Sequence, residues 1–176
     1  MGVTLARMVA KGASYPLSLE SCDLGRPLAD HIDALVAISG ANYGLCMWLM
    51  AGISQFPSCG QEGFAPGHCG RQKASYGACM DDMADPCEVE EYSGVLQRVN
   101  ARDEKEASFV ASLWSNADEV IGRNNMVWGR RTSLVPGSDL THAYEGYRHS
   151  ETKDETAAAQ LSLVRDHTLS GGRASR

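Results

Sequence analysis

Two residues in the second half of the chain could together move a proton: Asp118, within Ser115-Asn116-Ala117-Asp118-Glu119, and His149, within Tyr147-Arg148-His149-Ser150. A buried carboxylate bonded to one ring nitrogen of a histidine fixes its tautomer and leaves the other nitrogen free to accept a proton. Asp118 follows residues 107–114 (ASFVASLW), a buried-strand pattern, and His149 follows an extended stretch at 144–147 and directly precedes the last helical segment. In open parallel sheets functional groups gather at the carboxyl ends of strands, which is where both residues would lie. Taken singly, Asp118 would serve as well to open a turn, and His149 to sit solvated on a loop. Glu119 is an alternative acid, but with Val120 and Ile121 behind it the side chain is expected to point to the other side. His31, His68, His142 and His167 fall in loops or on the final helix, without a comparable acid at a strand end.

Such a base needs a nucleophile to activate. No serine of the chain stands between glycines two positions to either side: Ser14 has Gly12 but Pro16, and Ser54 has Gly52 but Phe56. Ser39 ends a strand, yet it lacks the strained turn into a helix that exposes a nucleophilic hydroxyl.

The cysteines carry a different message. Cys46, Cys59, Cys69, Cys79 and Cys87 crowd into a stretch rich in glycine and proline, with Cys22 upstream. None forms a Cys-x-x-Cys pair and no histidine pair stands at finger spacing, so zinc is not expected. An even number of cysteines in irregular chain reads as disulfides formed in an oxidising compartment. No charged segment followed by an apolar one marks a secretory signal.

The elements that must position Asp118 and His149 alternate. Residues 1–11 read as a helix with Val3, Leu5, Met8 and Val9 as its apolar face and Gly12 as a stop. Residues 15–27 form a polar loop. Residues 32–38 (IDALVAI) are apolar apart from Asp33, which suits a strand buried on both faces of a parallel sheet. Residues 45–87 have no sustained period and read as a disulfide-pinned insertion. Trp48, Phe56 and Phe64 within it would pack locally or contact an apolar ligand. Residues 88–100 return to helix with Tyr92, Leu96 and Val99 on one side. Residues 126–135 and 141–147 read as short strands or extended loops. A helix over 151–167 is expected to turn Ala158, Leu161, Val164 and Leu169 inward, with Ser150 or Thr152 as its cap. Strands and helices alternating in this way predict an α/β layer architecture.

Composition narrows the function. Hydrophobic residues at 43% and charged residues at 22% are those of a globular protein. A net charge of -6 argues against nucleic acid, whose phosphates require concentrated positive charge. No apolar run reaches the ~18 residues of a membrane span. No spacing implies a metal or an organic cofactor.

Four blocks, in order, resemble the class 2 lipases, a group of α/β-hydrolases that includes cysteine-rich secreted animal members. They are Met1-Gly2-Val3-Thr4-Leu5-Ala6-Arg7, Ile38-Ser39-Gly40-Ala41-Asn42-Tyr43-Gly44-Leu45-Cys46, Trp114-Ser115-Asn116-Ala117-Asp118-Glu119-Val120-Ile121-Gly122 and Tyr147-Arg148-His149-Ser150-Glu151-Thr152-Lys153. With the cysteine-rich segment between them, the resemblance runs as far as His167. Acid then histidine, the histidine just before the last helix, is also the chain order of α/β-hydrolases.

The resemblance implies a lipid or small carboxylic ester as substrate, Asp118 as triad acid and His149 as general base. It aligns Met1-Gly2 with the end of a Gly-x-Ser-Met-Gly elbow. The nucleophile would then be the residue before Met1, and Met1's backbone nitrogen an oxyanion donor. The expectation is one partial hydrolase domain over residues 1–169, its early strands missing, with the insertion at 45–87 and a flexible tail at 170–176. The full-length family member would be extracellular, and the chain alone poorly stable and inactive. A gene model begun at an internal codon and a degenerate paralogue are both consistent with this pattern. A non-catalytic secreted pseudoenzyme or binding protein is the alternative function, and an unrelated cysteine-rich effector a more remote one.

Overall fold

The computed structural model describes residues 2–12, 14–16, 21–44, 94–101, 104–121, 123–127 and 130–169. The cysteine-rich insertion, Met1 and the 170–176 tail lie outside the described residues, as do Trp48, Phe56, Phe64, His68 and Tyr92. Of Cys22 only the backbone is described.

Among the described residues three parallel strands form the main sheet, in the order β3 (Ala34–Ile38), β4 (Phe109–Ser115) and β7 (Leu140–Tyr144). β4 is the central strand, and all seven of its residues are buried. Such a strand has a sheet neighbour on each side and helices on both faces, which is why it reads as near-continuous apolar sequence. β3 carries the expected apolar run but is mostly half-buried, because among the described residues it pairs only with β4.

Alternation along the strands sorts the core into two faces. Phe109, Ala111 and Leu113 pack with Leu163 of helix α4 (Ala157–Asp166), and Leu169 joins them. On the opposite face Val110 and Ala37 meet Val3 of helix α1 (Gly2–Lys11). α1 in turn packs through Met8 on Val95 and Val99 of helix α2 (Gly94–Ala101). Helix, sheet, helix is the α/β layering expected from the alternation.

Several finer expectations change. The stretch expected as a polar loop, 15–27, overlaps two antiparallel strands, β1 (Ser14–Pro16) and β2 (Ser21–Asp23). A hairpin, β5 (Met126–Val127) with β6 (Arg130–Arg131), fills the connection from β4 to β7. The last helical segment is two helices, α3 (His149–Asp154) and α4, broken at Glu155 and Thr156. The buried stripe nevertheless runs on across the break, through Thr152, Thr156, Ala159 and Leu163. Ala159, Ser162 and Leu163 turn inward, while Ala158, Leu161 and Val164 face out, the last two 61% and 51% exposed. Ser150 and Thr152 sit inside α3 rather than capping it, and Thr152 Oγ1 donates back to the Arg148 carbonyl.

α1 also buries a different face from the one its aliphatic residues suggest. Leu5 and Val9 are each 46% exposed, whereas Thr4, Arg7, Met8, Ala10 and Lys11 are buried. Arg7 Nε donates to Glu106 Oε1 at 2.7 Å, and its Nη1 reaches Asn42 Oδ1 and Asn100 Oδ1, both at 2.8 Å. Lys11 Nζ donates to the Val99 carbonyl at 3.0 Å and lies 3.5 Å from Glu106 Oε1. One polar cluster therefore ties α1 to the exit of β3, to α2 and to the entry of β4.

Two glycines set the position of α1. Gly12 ends the helix at φ +59°, and a Cβ there would lie 2.6 Å from the Gly25 carbonyl oxygen. Gly40, just past β3, lets the first turn of α1 close in, since a Cβ would meet Val3 Cγ1 at 2.9 Å. The start of α1 thus lies at the carboxyl edge of the sheet.

Candidate active site

Asp118 and His149 meet at that same edge. β4 ends at Ser115, whose hydroxyl accepts the Ala117 N–H and whose carbonyl accepts the Asp118 N–H, turning the chain sharply. Asp118 Oδ1 then accepts the backbone N–H groups of Val120 and Ile121, each at 2.9 Å. The second oxygen, Oδ2, lies 2.8 Å from His149 Nδ1. The carboxyl group is fully buried, while the imidazole is 38% exposed. The buried oxygens are fixed by three contacts, and the ring stays partly exposed.

A carboxylate has only acceptors to offer, so its bond to Nδ1 places the proton there and leaves Nε2 with a lone pair. Nε2 is then the basic nitrogen, and Asp118 is placed to stabilise the imidazolium formed when it gains a proton.

His149 opens α3, and its position depends on both neighbouring segments. The Asn116 N–H bonds the Tyr144 carbonyl at 2.8 Å, and Asn116 Nδ2 bonds Glu145 Oε1 at 2.9 Å. Glu119 does not point away, as its sequence context suggests: its Oε2 accepts the His149 N–H at 3.1 Å. Glu119 Oε1 lies 3.9 Å from Arg148 Nε, and the Arg148 N–H donates to Glu151 Oε2 at 2.8 Å. Hydrogen bonds from its own N–H and from that of His149 hold the Glu119 carboxyl below the usual range.

The other residues weighed from the sequence lie elsewhere. His167 is at the far end of α4, stacked on Phe109 with ring centroids 4.5 Å apart, its Nε2 3.3 Å from Asp33 Oδ2. That acid precedes β3 at the amino edge, opposite the Asp118 end. His142 lies on β7 and packs edge-on against Tyr144, and His31 ends a 3-10 turn ahead of β3. Ser39 does adopt a left-handed backbone, at φ 47°, but a turn rather than a helix follows it and the residue is only 7% exposed. It is therefore not presented as a nucleophile.

A polar cleft of about 270 Å³ opens on the segment that follows β4, lined by Asn116, Asn124, Met126 and Arg131. Sequence reading missed it, because it is assembled from the Asp118 segment and the β5–β6 hairpin. Among the described residues no group of His, Cys, Asp or Glu converges as metal ligands. No helix among them is long and apolar enough to cross a membrane.

A family model described as lipase (class 2) matches residues 1–162. No curated protein and no solved structure matches the chain.

Proposed function

Starting from a chain that belongs to the class 2 lipase family, we propose that Asp118 and His149 are the acid and the general base of a carboxylic ester hydrolase. The observation that carries this reading is the 2.8 Å bond between the buried Asp118 carboxylate and His149 Nδ1. In that arrangement His149 Nε2 takes the proton of an attacking serine hydroxyl and later gives it to the leaving alcohol, while Asp118 stays ionised. The substrate class is a lipid or other carboxylic ester.

The hydroxyl itself matches no serine of these 176 residues, since none is framed as Gly-x-Ser-x-Gly. By the family motif it belongs immediately ahead of Met1-Gly2, where Met1's nitrogen would be an oxyanion donor. The first turn of α1 lies beside the exit of β3, at the edge where the dyad stands. The 176-residue chain by itself is then a base without its nucleophile. The purified chain is expected to release no p-nitrophenol from a short-chain p-nitrophenyl ester. Turnover abolished by His149→Ala would overturn the assignment of the nucleophile to a residue outside this sequence.

The missing Gly-x-Ser-x-Gly pattern also favours a second reading, a secreted pseudoenzyme that keeps the fold and the cysteines. Fluorophosphonate labelling of the endogenous protein separates the two. A labelled species larger than this chain supports the hydrolase, and a detectable but unlabelled one supports the pseudoenzyme.

A further inference from the structure

Asp118 and Glu119 are consecutive, and both reach the same residue. Asp118 takes the ring of His149 through Nδ1 at 2.8 Å, and Glu119 takes its backbone N–H at 3.1 Å. We infer that Glu119 is a positioning residue for His149, fixing the backbone from which the imidazole reaches Asp118. The inference rests on His149 being the base proposed above.

One hydrogen bond to a ring does not fix where the ring comes from. His149 is carried on four residues that leave β7 at Tyr144, and Gly146 among them has open space around its Cα. The Asp118 segment grips this connection at its start through Asn116, which bonds Tyr144 and Glu145. Glu119 supplies the grip at its end. The bonded N–H belongs to the first turn of α3, where no intrahelical acceptor exists, so a carboxylate reaching in from another segment meets an otherwise unpaired donor. With both acids engaged, backbone and ring of His149 are referenced to one turn of chain. With Glu119 gone, the connection can shift and the bond to Asp118 is made only part of the time.

Glu119 is half-exposed, with its side chain 48% accessible, so its replacement leaves the core intact. The test is the proton NMR signal of His149 Nδ1–H, recorded on the full chain with the ring nitrogens isotopically labelled. Glu119→Ala is expected to broaden or abolish the downfield Nδ1–H resonance without moving the thermal midpoint. Glu119→Gln, which keeps an acceptor oxygen, is expected to restore the resonance. A purely structural tether would lower the midpoint and leave the resonance in place. An unchanged resonance in Glu119→Ala, or an equal loss in Glu119→Gln, overturns the inference. Asp118→Asn tests the underlying reading separately: a resonance that survives that change removes the dyad itself, whatever Glu119 does.

Discussion

Asp118 has both carboxylate oxygens engaged inside the fold, and the division of labour between them explains the site. Oδ1 is bound by two backbone N–H groups of its own turn, so the carboxyl cannot rotate to release His149. Asp118→Asn would keep the shape of the group while offering an amide where the ring expects an acceptor. In the protein that carries the nucleophile, this change is expected to lower kcat by roughly four orders of magnitude, because the wrong tautomer leaves Nε2 protonated. Near-normal turnover in that variant would exclude Asp118 as the acid. Chain order and strand-end position make this pair legible in the sequence alone. The role of Glu119 is not legible there, because alternation of side chains holds for extended strands. After Ser115 the chain is a tight turn, and successive side chains there can face one histidine.

Helix α4 and helix α1 both bury faces that their aliphatic residues do not announce. α4 places Leu163 at 0% exposure in the core, on a buried stripe that continues Thr152, Thr156 and Ala159, and Leu161 at 61% in solvent. Leu163→Ala is expected to destabilise by about 2–5 kcal/mol, whereas Leu161→Ala should change stability by no more than about 0.5 kcal/mol. Equal costs in chemical denaturation would show the phase to be wrong. In α1, charged residues would ordinarily be assigned to the surface, but Arg7 finds Glu106, 99 positions away in sequence. Burial is the largest influence on Lys11 and pushes its ammonium below the usual 10.5, against the opposing pull of Glu106. Between that lowered value and 10.5 the unfolded chain binds more protons than the folded one, so this group makes the fold more stable as pH rises. Unfolding free energies of the wild type and Lys11→Met, compared across alkaline pH, should show the wild type gaining on the variant. A constant difference would count against a buried Lys11.

At the scale of the whole molecule, the three-stranded sheet brings the start of α1, Asp118 and His149 to one carboxyl edge, and its layers are those of an α/β protein. The six cysteines belong to this scale as well. If the six cysteines are paired, as their crowding in irregular chain leads one to expect, iodoacetamide should add nothing to the unreduced native protein and six groups after reduction. Labelling of the denatured protein without reduction would show free thiols instead.

By itself the sequence determined the alternation of strands and helices, the family resemblance and the pairing of Asp118 with His149. Each of these is written in local pattern and chain order. Only the tertiary structure decided which faces α1 and α4 bury, that Arg7 and Lys11 are interior, and that Glu119 turns toward the histidine. Those outcomes depend on partners distant in sequence and on where a turn resets direction. No local periodicity carries that information.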